Sequence, residues 1–129
     1  MRIERVEALR ADAAWRSFSF LKIATACGVT GSSEYDEDFG SRGLSPVIEA
    51  LSPLILGMDP LASEAIVAKL HVATRQARGG LNQQAIAAIE NALLDIRGKE
   101  AGRPVHALFG GPIRTRIPVY WSHWPMPGR

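Results

Sequence analysis

The densest run of chemically capable side chains is EYDEDFG, which places Glu34, Asp36, Glu37 and Asp38 within five positions. Several carboxylates close together are what a hard cation such as calcium wants. Counted with Glu34 as the first ligand position, however, the required glycine falls on Phe39 and the closing glutamate on Ser45. The run therefore reads as a solvated acidic loop. A second candidate is ADAAWRS, residues 11–17, where Trp15 stands beside Arg16. An apolar plate next to a fixed positive charge suits an anionic ligand with an apolar portion. On composition alone, a surface loop with one partly exposed tryptophan is the better reading.

The remaining reactive types are sparse. His71, His106 and His123 have no metal-ligand spacing, and Cys27 adds no partner to them. The sequence has no CxxC, HExxH, GxSxG or GxGxxG pattern. Gly79-Gly80 before a helix could receive an anion, but without a preceding strand it reads as a hinge. Asp95 and Lys99 are spaced to pair on one helix surface. Asp95 sits too deep in a packed segment to be a catalytic carboxylate, and Cys27 reads as an unreactive turn thiol.

The elements that must position these residues fall into two parts. Ile3, Val6 and Leu9 alternate with charges, SFSFLKIAT (residues 17–25) is rich in β-formers, and VTGSSEY (residues 29–35) returns after the turn Ala26-Cys27-Gly28. These predict three antiparallel strands in a meander. From Ser45 the period becomes helical. Ser45 reads as an N-cap before Pro46, with Val47, Ile48, Leu51, Leu54 and Ile55 on one face and a break expected at Pro53. Asp59 reads as the cap of a second helix reaching Arg75, with Leu61, Ala65, Ala68, Leu70 and Val72 facing inward. Asn82 reads as the cap of a third, faced by Ile86, Ile89, Leu93 and Ile96 and stopped by Gly102. His71 belongs to the boundary of the second helix, and packing is the default role for His106. The fold class is α+β: a three-stranded antiparallel meander followed by a helical bundle.

Composition sets the outer bounds. A chain of 129 residues, 47% hydrophobic and 22% charged, suits one globular domain with a real core. A net charge of +2, with the basic residues scattered, argues against a nucleic-acid partner. A single cysteine fits a reducing compartment, the charged MRIERVEALRAD start is no signal peptide, and no apolar run is long enough to span a bilayer. The expectation is a soluble cytoplasmic protein with no membrane partner.

The tail changes character. Pro104, Pro112, Pro118, Pro125 and Pro127 crowd the end of the chain, and IPVYW, residues 117–121, reads as a strand with no partner strand after it. Left exposed, Val119, Tyr120, Trp121 and Trp124 would be an aggregation hazard, so the chain reads as truncated there. The organisation expected is a domain over residues 1–111 and a connector with a first strand of a further domain over residues 112–129.

Over residues 80–123 the succession AIAAIENALLDIRGK, GRPV, LFGG and IPVYW resembles the join between cap and barrel in the mandelate racemase / muconate lactonizing enzymes of the enolase superfamily. LILGMDP and the GVTG turn extend the likeness toward the N-terminus. The resemblance implies an N-terminal capping domain over a modified (β/α)8 barrel, the barrel being absent from this chain. Two loops, mapped by order onto residues 11–17 and 34–44, would close over the barrel mouth and select the substrate. It lifts Trp15 and Arg16 to substrate contacts, gives the acidic loop a lid role, and places Ser122 and His123 near the substrate at the end of the first barrel strand. Such isomerases and lyases remove the proton α to a carboxylate while magnesium stabilises the enediolate. Racemisation, cycloisomerisation or sugar-acid dehydration then follows. The metal ligands and the Lys or His bases lie on the barrel. The resemblance thus implies no catalytic residue, metal ligand or cofactor in this chain, and magnesium in the parent enzyme. The implied partners are the barrel, a small carboxylate substrate and further copies of the parent enzyme. The alternative is a self-contained α+β binding or interaction module without catalytic activity.

Overall fold

The computed structural model describes residues 1–121. Its elements run β1 (Ile3–Asp12), β2 (Ser17–Thr25), β3 (Thr30–Tyr35), α1 (Leu44–Leu51), a 3-10 turn (Ser52–Leu54), α2 (Ser63–Ala73), α3 (Gly80–Glu100) and a second 3-10 turn (Val105–Phe109). The strands form one antiparallel meander in the order β1-β2-β3. This is the α+β architecture expected from the sequence.

Register decides which side of the sheet is core. Val6 lies opposite Ile23, and Ile23 opposite Gly31; Ala8 lies opposite Leu21, and Leu21 opposite Ser33. Directly paired residues share a face, so this row meets α3, and Leu21 and Ile23 are fully buried there. Gly31 permits the close approach: a Cβ at that position would run into the Ala92 carbonyl oxygen and the Ile96 side chain. The opposite row, Leu9–Phe20–Glu34 and Ala11–Phe18, looks away from the helices.

The core joins that sheet face to Leu44, Ile48 and Ile55, to Ile66 and Leu70, and to the α3 stripe Ile86, Ile89, Leu93 and Ile96. The α3 stripe and the stop at Gly102, with φ 60°, agree with the pattern in the sequence. The break at Pro53 also agrees, as the 3-10 turn that follows α1.

Three expected caps differ. α1 starts at Leu44 after Gly43, whose φ is 89°, and Ser45 lies inside the first turn. The loop carboxylate of Glu37 takes over, accepting the Ser45 N–H at 2.8 Å and its hydroxyl at 2.5 Å. An acidic group there answers both the free N–H and the helix dipole. Asp59 closes a turn instead of capping α2, accepting the Leu61 N–H at 3.1 Å, and α2 starts only at Ser63. Asn82 points back, donating to the Ala77 carbonyl at 2.7 Å, while α3 starts at Gly80.

The inward face of α2 is Ser63, Ile66 and Leu70, so of the expected stripe only Leu70 is correct. Two stripes with helical spacing compete in this segment. The helix turns the larger Ile66 inward and leaves Ala65, Ala68 and Val72 exposed. His71 is half-buried, whereas His106 is exposed.

Asp95 and Lys99 form the expected pair at 2.8 Å, and they also dress the outer edge of β3. Asp95 accepts the Ser32 N–H at 2.8 Å and Lys99 donates to the Thr30 carbonyl at 2.7 Å. A free strand edge is thereby blocked by two helix side chains. Among the described residues, 112–121 form no strand, so IPVYW does not take the expected β form, and Trp121 is 88% exposed. Among the described residues, no helix is long and apolar enough to cross a membrane.

Candidate functional site

β1 and β2 pair as far as Asp12–Ser17, leaving a four-residue connection, 13–16. Ala13 N–H donates to the Arg16 carbonyl at 2.9 Å, Trp15 N–H to the Ala13 carbonyl at 2.8 Å, and Ala14 N–H to Asp12 Oδ1 at 3.1 Å. The tight path forces Ala14 to φ 67°, the left-handed region an alanine rarely occupies. The result turns Trp15 outward, 56% exposed.

The β3–α1 connection, residues 36–43, is shaped by its own acids. Asp36 Oδ1 accepts the N–H groups of Asp38 at 3.0 Å and Phe39 at 3.1 Å, an Asx turn that lifts Phe39 to the loop tip. The Phe39 N–H bond is the chief cause holding the Asp36 carboxyl below its ordinary value. Burial pushes the Glu37 carboxyl up, but the Ser45 hydroxyl and the N–H groups of Ser45, Leu44 and Gly43 outweigh it, so it too is lowered. Because Ser45 Oγ donates to Glu37, the Tyr35 hydroxyl 2.7 Å away donates to Ser45. Burial is the main reason the Tyr35 hydroxyl titrates above its usual range.

The two connections meet. Asp38 Oδ2 accepts the Ser17 N–H at 2.9 Å, and its other oxygen faces Arg10 at 3.8 Å. Arg16 Nη2 lies 3.5 Å from Glu34 Oε1. The Arg16 guanidinium stands 4.0 Å from the Phe18 ring centre, 5.6 Å from Trp15 and 5.7 Å from Phe39. Trp15 meets Phe18 edge to face at 6.2 Å, and Phe18 stacks with Phe20 at 6.4 Å. The exposed end of this cluster is aromatic, with Trp15 and Phe39 at its rim, and Phe39 is 71% exposed.

Of the residues singled out in sequence, Trp15 and Arg16 are therefore adjacent and partnered by the acidic loop. Ser122 and His123 lie outside the described residues. Sequence reasoning missed Phe39, which entered only as the wrong residue for a calcium glycine. Its signal was an aromatic isolated between acids and a glycine. The acidic run does not suit a cation: Asp36, Glu37 and Asp38 hold internal N–H groups, and Glu34 faces Arg16. Among the described residues, no group of three or more His, Cys, Asp or Glu side chains is placed to hold a metal ion. Cys27 is exposed on the β2–β3 turn, its Sγ 3.3 Å from Thr25 Oγ1.

A three-stranded meander followed by a helical layer is the α+β fold of an enolase-type N-terminal domain. Residues 9–110 match the mandelate racemase / muconate lactonizing enzyme N-terminal domain, and the chain belongs to that family. It is 33% identical over 129 residues to the D-galactonate dehydratase of Xanthomonas euvesicatoria, covering 99% of this chain and 33% of that protein. Among solved structures it is similar to a Burkholderia xenovorans protein provisionally assigned as an L-alanine-DL-glutamate epimerase and bound to magnesium and fumarate. There the TM-score is 0.88 with 44% identity, over 95% of this chain and 31% of the other. The 3,6-anhydro-D-galactonate cycloisomerase of Zobellia galactanivorans gives a TM-score of 0.76 at 28% identity, over 86% of this chain and 32% of that one. The chain thus spans about a third of the length of the relatives it matches.

Proposed function

We propose that this chain is the substrate-selecting cap of a longer magnesium-dependent enzyme that removes the proton α to a carboxylate. In this reading residues 1–111 form the cap, and residues 112–129 lead into a barrel that supplies the metal ligands and the catalytic base. The chain by itself is catalytically silent. The observation that carries the reading is the meeting of connections 13–16 and 36–43 at one end of the sheet, with Trp15 and Phe39 presented outward. Two loops in contact at one end of a sheet can close over a partner as a lid, and an aromatic rim gives it a surface for a small ligand. The names of the relatives, a dehydratase, an epimerase and a cycloisomerase, support an acid substrate and leave its identity open. Exposed Ile113, Ile117, Val119 and Tyr120 support a further apolar partner surface.

Trp15 and Arg16 are assigned to the substrate-facing end of the lid, and Ser122 and His123 to the adjoining strand end. In this reading magnesium would be held by acidic residues outside this chain and would supply charge stabilisation for removing a proton next to a carboxylate. The test is steady-state kinetics of a barrel-bearing polypeptide that carries this cap, with Trp15→Ala as the variant. The expected result is a KM raised about tenfold, the weight of one lost aromatic contact. An unchanged KM and kcat would remove the lid role. Proton exchange into a carboxylate by the isolated chain would remove the cap reading altogether.

A further inference from the structure

The charge of Arg16 is engaged within the domain. Its side chain is 17% exposed, with Nη2 facing Glu34 at 3.5 Å. Nε is buried and has no hydrogen-bond partner, so one N–H is withdrawn from water. A guanidinium tolerates this better than an ammonium, being planar, weakly hydrated and suited to ring faces. Three rings surround it, and they come from different places: Trp15 from the β1–β2 connection, Phe18 from β2, and Phe39 from the β3–α1 connection.

Regular pairing does not join these connections. β1–β2 pairing ends at Asp12–Ser17 and β2–β3 pairing at Ser19–Tyr35. Beyond those rungs the links involve side chains: Arg16 and Trp15 against Phe39, and the Ser17 N–H to Asp38, while Arg16 also reaches back to Glu34 inside β3. Each connection also has its own internal turn, closed by Ala13–Arg16 on one side and by the Asp36 carboxylate on the other. Two independently formed loops thus meet through the Trp15–Phe39 rings, through Asp38 and through Arg16, whose guanidinium lies against rings from both.

We propose that Arg16 is a strut that makes the two loops one body, so that Trp15 and Phe39 meet a ligand as a single aromatic face. Arg16 is then a positioning residue. A ligand reaching this lid presents an apolar or C–H face to it, and its carboxylate is held elsewhere. This ligand assignment rests on the cap reading; the mechanical coupling does not.

The coupling is read by amide hydrogen exchange on the 129-residue chain, without any barrel. In Arg16→Gln, amides of both 13–16 and 36–43 should exchange about five- to tenfold faster, while the α3 amides keep their rates. Arg16→Lys, which keeps the charge and loses the planar fork, should not restore protection. Acceleration confined to 13–16 would overturn the strut. Should Arg16→Gln also loosen α3, Phe39→Ala replaces it, since that ring is exposed and outside the sheet. Made in a Trp15→Ala background, where the direct ring contact is already gone, it is expected to speed exchange at 13–16 further, and an unchanged rate there would overturn the proposal. A strut that passes this test beside an unchanged KM in Trp15→Ala would leave the coupling standing and remove only the lid.

Discussion

The rings of Trp15 and Phe39 lie with their centres 6.5 Å apart and their planes inclined by 32°, although each belongs to a different strand connection. Their meeting turns two separate loops into one aromatic rim. The packing beneath it, from Phe18 and Phe20 on the outer sheet face, fixes where that rim stands.

The β1–β2 connection carries strain at Ala14, whose φ of 67° a glycine would adopt without cost. Ala14→Gly should raise stability by about 0.5–1 kcal/mol in urea unfolding. A loss of stability would mean that the turn depends on the alanine methyl group.

Gly31 is fixed by a different constraint, the approach of α3. Gly31→Ala places a methyl against the Ala92 carbonyl and Ile96, forcing the helix off the sheet. The expected cost is about 2–3 kcal/mol. Gly28→Ala, with open space around its Cβ, is the comparison and should cost about 1 kcal/mol through its positive φ alone. Equal losses in chemical denaturation would contradict the close-approach argument.

Glu37 ties the acidic loop to α1, and its effect depends on pH. Its folded pKa is lowered, so its stabilisation is complete above the unfolded glutamate value, about 4.3, and disappears as pH falls through the lower folded value. Glu37→Gln should cost about 1 kcal/mol at neutral pH, the worth of a helix cap with the half-exposed site partly screened by water. Thermal melts between about pH 5 and pH 3 should show the wild type losing stability more steeply than the variant. Parallel curves would deny Glu37 its capping role.

Asp95 holds the β3 edge through the Ser32 N–H and Lys99. Asp95→Ala should lower stability by about 1 kcal/mol and speed exchange of the Ser32 amide, because that donor loses its protein acceptor. Unaltered exchange at Ser32 would show that water serves the edge equally well.

How much of this was legible in the sequence follows from what periodicity can and cannot encode. The α3 stripe was legible because Ile86, Ile89, Leu93 and Ile96 are large, regular and unopposed by a second stripe. In α2 two stripes fitted the same period, and side-chain volume chose the one containing Ile66. The caps failed for one shared reason. Ser45, Asp59 and Asn82 are all good cap types, but each found a nearer tertiary or turn partner: Glu37, Leu61 and Ala77. Trp15 and Arg16 could be picked out by type. Their partner Phe39 could not, since a contact between two loops leaves no period in either.

The central claim is that this sequence is the cap of a longer enzyme. The most direct measurement is the intact mass of the native protein that contains it, isolated from its source with an antibody against residues 1–111. The account predicts a chain roughly three times this length, with about 250 residues of barrel included. A native species of 14.0 kDa with no longer form would contradict it.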